Sequence, residues 1–298
     1  METIPEGTDE NNSRKSSPSP SLDQPNDTSA SSEDVNRLWI EAGLRAQKLL
    51  QFQDTASTPT ILDTDDRATI TMLTFASAYH KLIISRPKPA AQRNTWCIRC
   101  IPSPQTIDLF QFQQIVTDSA EYDPSNTLHF QMICNVWKRL TGDRLAPDSV
   151  GQHWESIGFQ GPDPCADLNR SHGLLNLLFL LHLAQEWSVT AQEFFRLSQT
   201  PGAEFPYACV SIALGLIAIT RFQQGLIKPH GKDKSYTIGV ARCHVALVKD
   251  FMHSWVSKSL TIDDFDTLMN ELHGACDTSQ KVEKLMRSHL DSTGIRKA

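Results

Sequence analysis

Two segments constrain the fold more than anything else in the chain: LLNLLFLLHLA at 174–184 and YACVSIALGLIAI at 207–219. Both are apolar on every face of a helix. A helix with no polar side has to be enclosed, so each needs a shell of other helices around it. Neither reaches the roughly 18–20 apolar residues that a bilayer span requires. They read as the central helices of a protein core, with no transmembrane segment. The 40% hydrophobic fraction of the 298 residues is enough to build the shell.

The shell is legible in the rest of the chain. Helical spacing or helix starts are found after Asp66 up to Ile84 with Asp65 as a cap, and at 107–118. Asp123-Pro124 opens a helix through Leu140, with proline at its first position. Asp148 is placed to cap a short helix ending at Ile157. Further helices are expected at about 172–187, 206–224 and 236–256, after Thr261 with Asp263 and Asp264, and from Thr278 to Leu290. Alternating β-branched runs and internal repeats are missing. The expected class is therefore all-α, a multi-helix bundle with long functional loops.

Three regions follow. Residues 1–33, rich in Ser, Pro, Asp and Asn, lack the large apolar groups needed to offset ordering entropy, and a disordered tail is expected there. Residues 34–104 form an N-terminal helical region, with Leu38, Trp39, Ala42, Leu49 and Leu50 at helical spacing, and a proline-containing linker near 86–104. The main domain occupies 105–298.

Composition removes several function classes. With 28 basic and 34 acidic residues the formal charge is −6, without the positive field of a general nucleic-acid binder. Seven cysteines, an odd number and several in apolar runs, suit reduced thiols of a cytoplasmic protein. The N-terminus has no apolar stretch of a secretory signal. Cys97-x-x-Cys100 has no second pair to complete a zinc site, so no metal and no cofactor is expected. His182, inside the apolar helix, reads as a core histidine bonded to a carbonyl, and His244 and His253 stand alone. H-E-x-x-H, G-x-S-x-G, P-loop and dinucleotide-binding signatures are all missing.

The unusual chemistry lies just before the first apolar helix, in WESIGFQGPDPCADLNRSHG (154–173). Asp163 and Asp167 have no further catalytic element beside them. Arg170 offers a permanently charged fork of donors suited to carboxylate or phosphate oxygens. Two readings stay open from residue chemistry: a structural arginine pairing with Asp163 or Asp167, or an arginine supplied to another protein's phosphate site.

The stretch Trp154-x-x-x-Gly158-Phe159-Gln160-Gly161-x-Asp163-Pro164-x-x-Asp167 resembles the signature of the ELMO domain, W-x-x-x-G-F-Q-G-x-x-P-x-T-D-F-R-G followed by a leucine-rich helix. HFQMICNVWKRLTG (129–142) resembles the family's leading helix. EFPYACVSIALGLIAI (204–219) resembles its later segment, with Phe205, Pro206 and Ile212 in pattern and Ala213 where asparagine is common. The resemblance covers about 105–275 and fits the small ELMOD type, since armadillo-like repeats and a pleckstrin-homology domain have no room here. It implies a GTPase-activating protein for Arf-family or Arf-like small GTPases, with peripheral membrane contact through the GTPase. The signature arginine, Arg170, would stabilise charge on the phosphoryl oxygens of GTP. The alternative it implies is a non-catalytic adaptor for a small GTPase or a Rac exchange factor. An independent enzyme is a third reading. One departure stands out: without a gap, Asn169 falls at the arginine position, and Arg170 fits when one residue is inserted.

Overall fold

In the computed structural model, residues 68–84, 104–118, 120–231 and 235–291 are described. The tail 1–33, the apolar positions 38–50, Asp65, Asp66, Cys97 and Cys100 lie outside them. In chain order the helices are α1 (Phe75–Ile84), α2 (Pro104–Asp118), α3 (Thr127–Thr141), α4 (His153–Ser156), α5 (Cys165–Leu168) and α6 (Gly173–Glu186). They continue with α7 (Ser188–Ser198), α8 (Tyr207–Gln223), α9 (Tyr236–Ser257), α10 (Phe265–Ala275) and α11 (Ser279–Met286). A 3₁₀ turn, Ile262–Asp264, precedes α10, and a π-helical turn, Arg287–Asp291, follows α11. Among the described residues no strands form, only isolated bridges between Thr69 and Leu145 and between His230 and Ser235. The all-α class is as expected.

The apolar runs set the layout. Every residue from Gly173 to Ala184 of α6 is buried, as is Tyr207–Gly215 of α8. α1, α3, α7 and α8 surround α6, while α9 lies against α8 and carries α2, α10 and α11 on its other sides. One hydrophobic cluster runs from Ile70 to Leu290 through all of them. Among the described residues, no helix is long and apolar enough to cross a membrane. Cys134, Cys165, Cys209, Cys243 and Cys276 are free thiols, all but Cys165 buried.

α9 starts on a charge from another helix. The carboxylate of Asp108 in α2 accepts from Ser235 Oγ at 3.0 Å, Tyr236 N at 2.5 Å and Thr237 Oγ1 at 3.2 Å. A negative group at a helix N-terminus satisfies free N–H donors and complements the helix dipole. Thr261 and Asp264 form the reciprocal capping box before α10, and Thr278 caps α11, both in line with the sequence.

Elsewhere distant partners override local pattern. The stretch read as helix from Asp66 becomes helical only at Phe75. Before it, Ile70 N donates to Arg144 O at 2.8 Å and Ala146 N to Ala68 O at 2.8 Å. The Asn135 side chain holds Thr71 O at 3.0 Å and Leu73 N at 3.1 Å. These bonds hold 68–74 out of the helix. α3 is capped by Asn126, whose Oδ1 accepts from Leu128 N and His129 N, so the helix starts after the expected Asp123-Pro124. Asp123 instead forms a turn with Ser125. The expected 148–157 helix shrinks to α4, and Asp148 acts through its carbonyl, which accepts from Trp154 Nε1 at 3.1 Å. α7 is an added helix with Thr190, Ala191, Phe194 and Ser198 inward. The chain bends between α6 and α7 at Trp187, whose ring lies under Lys249 Nζ at 4.7 Å and the Arg242 guanidinium at 5.7 Å.

His182 is buried against the edge of Phe75, with ring centroids 4.8 Å apart and, among the described residues, no partner for Nδ1. The carbonyl expected for it is therefore missing at Nδ1. Burial, with His244 and Arg242 adding to it, pushes its pKa down to about 3.

Candidate functional site

The loop from Trp154 to Gly173 is built from the inside outward. Trp154 is fully buried; its ring meets Trp137 edge-on at 5.6 Å and Phe159 at 6.1 Å. Phe159 N returns to Trp154 O at 3.2 Å, closing a tight turn around Gly158. Gly158 has φ +86°, and a Cβ there would lie 2.2 Å from Tyr207 N and 2.7 Å from Pro206 C. The reason for this close approach is a helix start. Ala208 N donates to Ile157 O and Cys209 N to Gly158 O, both at 3.2 Å. The loop thus supplies two of the carbonyls that satisfy the open N–H groups of α8.

Gly161, three residues on, is different. A Cβ at Gly161 would meet nothing within 4 Å. Asp163 Oδ1 accepts from Cys165 N at 2.9 Å and starts α5, with Pro164 buried at the turn. Gly173 begins α6 against the 120–121 backbone: a Cβ would lie 2.5 Å from Ala120 O, and Leu174 N donates to that oxygen at 2.9 Å. Asn176, one turn into α6, reaches back to Leu168 O at 3.0 Å and to Ser171 Oγ at 3.0 Å. Both ends of the loop are therefore fastened to central helices.

Asp167 is the electrostatic centre. Its side chain is 2% exposed. Oδ2 accepts from Gln160 N at 2.7 Å and Oδ1 from Arg170 Nη2 at 3.1 Å. Burial pushes its carboxyl above the ordinary carboxylate range, opposed by the Gln160 N–H, the Arg170 charge and the Cys209 thiol, which also bonds to it. Cys209, wholly enclosed and facing that carboxylate, has its thiol pKa pushed well up, chiefly by burial. Arg170 Nη2 bonds a second acceptor, Gln160 Oε1, at 2.8 Å. The Arg170 side chain is 32% exposed. Its Nε and Nη1 make no hydrogen bond among the described residues. Among the described residues Gln160 Nε2, which is buried, has no partner.

The ELMO/CED-12 family model matches residues 116–269, just over half of the 298-residue chain. The chain belongs to the ELMO/CED-12 family. It is 31% identical to ELMO domain-containing protein 3 of Homo sapiens over 153 residues, 50% of this chain and 40% of that protein. Over 109 residues, 37% of each chain, it is 29% identical to ELMO domain-containing protein 2 of Mus musculus. ELMO domain-containing protein B of Dictyostelium discoideum is 31% identical over 112 residues, 37% of each chain. The matched segments span less than half the length of these relatives. No solved structure matches the chain.

The ELMO match starts inside α2 and ends inside α10, so it contains the whole loop. In this ELMO domain Asn169 and Arg170 have separate work. Asn169 Oδ1 accepts from Tyr122 N at 2.7 Å and its Nδ2 donates to Tyr122 O at 2.9 Å. That amide is spent on the backbone of a neighbouring loop, and Arg170 is the guanidinium at the surface. Trp154, Gly158 and Phe159 serve the interior, while Gln160, Asp167 and Arg170 come together in one cluster. Gly161 lies outside that cluster. Cys209 and Tyr122 belong to the arrangement but carry no signal in the sequence, because they are 42 and 47 residues from Asp167 and Asn169 along the chain. Among the described residues no group of three or more His, Cys, Asp or Glu is placed to hold a metal ion.

Proposed function

We propose that this ELMO domain activates GTP hydrolysis by an Arf-family or Arf-like small GTPase, with Arg170 entering the partner's nucleotide site. The observation that carries the reading is the state of Arg170: a permanent cation, a third exposed, which among the described residues is held by Nη2 alone, with Nε and Nη1 unbonded. On those two nitrogens a guanidinium carries three N–H donors, which suit phosphate oxygens. The partner supplies the nucleotide pocket, magnesium and attacking water, so this chain needs no active site of its own. An arginine supplied in this way accelerates hydrolysis about 10³- to 10⁵-fold. Gln160, Gly161, Asp163 and Pro164 belong with Arg170 to the partner-facing loop. A cytoplasmic location, membrane contact through the GTPase, and the division of the chain at 33 and 104 are part of the same proposal.

The adaptor reading draws on one observation as well, the Arg170–Asp167 bond at 3.1 Å, which also braces the loop. Purified protein added to a panel of GTP-loaded Arf-type GTPases, with phosphate release measured, decides between them. Stimulation that is lost in Arg170→Ala and kept in a folded Asn169→Ala supports activation. Binding without stimulation across the panel establishes the adaptor instead.

A further inference from the structure

We propose that Gln160 and Asp167 are positioning residues for Arg170: together they hold its Nη2 and leave Nη1 and Nε to the partner. The proposal rests on the activation reading above and deepens it.

The geometry is specific. Two acceptors from different parts of the loop converge on the same nitrogen, Gln160 Oε1 at 2.8 Å and Asp167 Oδ1 at 3.1 Å. Two acceptors on one Nη fix both the position of that nitrogen and the rotation of the guanidinium plane. Asp167 cannot drift, because its other oxygen is tied to Gln160 N at 2.7 Å and its side chain is 2% exposed. The carboxylate and the carboxamide are therefore coupled: the main chain of Gln160 holds Asp167, and the side chain of Gln160 shares its arginine. An arginine left to itself samples many rotamers, and ordering it when the partner docks would weaken transition-state stabilisation.

Neither group is arranged for folding alone. A buried carboxylate is a cost to the folded state at neutral pH unless its partners offset it. Gln160 Nε2 is buried without an acceptor among the described residues. Such a donor is unfavourable in an interior, and an apolar side chain of the same length would avoid it. What the carboxamide gains in this position is its bond to Arg170.

The test uses the full chain in two measurements. The first is rotation of the Arg170 guanidinium, read from ¹⁵N line shapes of its Nη groups and assigned by difference against Arg170→Lys. The second is stimulated phosphate release from the responsive GTPase, resolved into kcat and KM. Restricted Nη rotation is expected in the unaltered protein and free rotation in Gln160→Met. In that variant kcat should fall roughly 10- to 100-fold with KM within about twofold and an unchanged urea midpoint. Gln160→Glu, which restores an acceptor, should restore the restraint. Asp167→Asn, if folded, should free the guanidinium in the same way. Free rotation in the unaltered protein overturns the proposal, as does a Gln160→Met variant with normal kcat or with only KM altered. If the unaltered protein stimulates no GTPase, the activation reading fails and the positioning role with it. The rotation measurement then shows separately whether Arg170 is held.

Discussion

Gly158 and Gly161 stand three residues apart in one loop, and alanine should have opposite consequences at the two. At Gly158 the φ of +86° alone costs an L-residue about 1–2 kcal/mol. The added Cβ also lies 2.2 Å from Tyr207 N and 2.8 Å from Ala208 N, backbone atoms at the start of a buried helix that have no rotamer to change. Relief requires the loop to move away from α8, which weakens Ala208 N to Ile157 O and Cys209 N to Gly158 O. Each such bond is worth about 0.5–1.5 kcal/mol, more if a buried group is left unpaired. The sum for Gly158→Ala is roughly 2–5 kcal/mol, or a Tm lowered by about 4–20 °C for a domain of this size. At Gly161 a Cβ meets nothing, and φ lies outside the left-handed region. Gly161→Ala should change stability by no more than about 1 kcal/mol, with a gain possible from a stiffer unfolded chain. Urea unfolding followed by circular dichroism measures both. A loss under 1 kcal/mol at Gly158, or above 2 kcal/mol at Gly161, would refute the account of the loop as a strained cap on α8.

Three further outcomes are expected. Asn169→Ala should cost about 1–3 kcal/mol by releasing Tyr122 N and O, whereas Arg170→Ala, with a third of its side chain exposed, should cost under about 1 kcal/mol; equal losses by urea unfolding would contradict the separate duties of the two residues. His182 and His244 have pKa values pushed down by burial to about 3 and about 4. The unfolded chain takes up those protons below about pH 6.5 and the folded chain does not, so stability falls with pH by about 1.4 kcal/mol per unit for each histidine. His182→Leu should flatten that slope between pH 6.5 and 5; an unchanged slope counts against it. Asp108→Ala should destabilise by about 2 kcal/mol, since three donors at the start of α9 lose their acceptor; hydrogen exchange at residues 236–240 should rise first, and uniform acceleration across α9 would exclude a capping role.

What could be read in the sequence was whatever depends on neighbours along the chain. The runs around Leu178 and Leu214 are apolar all round, and a residue buried on every side needs no knowledge of which helix covers it. The capping box at Thr261 and Asp264 is a three-residue matter. The start of α1 was not legible, because residues 71–75 are held by Asn135 and Gln185, 62 and 110 residues away. Asp123 competes with Asn126 for the same helix start, and local composition does not rank them. The candidate site divides along the same line. Its spelling located the loop, and Arg170 with its choice of Asp163 or Asp167 was visible. That Asp167 is the partner, that Gln160 shares the arginine, and that Asn169 belongs to Tyr122 depend on how the loop folds back.

The attachment of the loop to α8 bears on how such a sequence would drift over time. Gly158 and Asn169 are tied to the main chain of distant segments and Trp154 is enclosed in the core, so changing them disturbs the interior whether or not anything docks outside. Among the described residues Arg170 bonds only to side chains. A descendant without the proposed activation would keep most of the signature for reasons of architecture and would be free to change the arginine first. Within this loop, the recognisable spelling is therefore a record of the fold, and the single residue at 170 is the better witness to use.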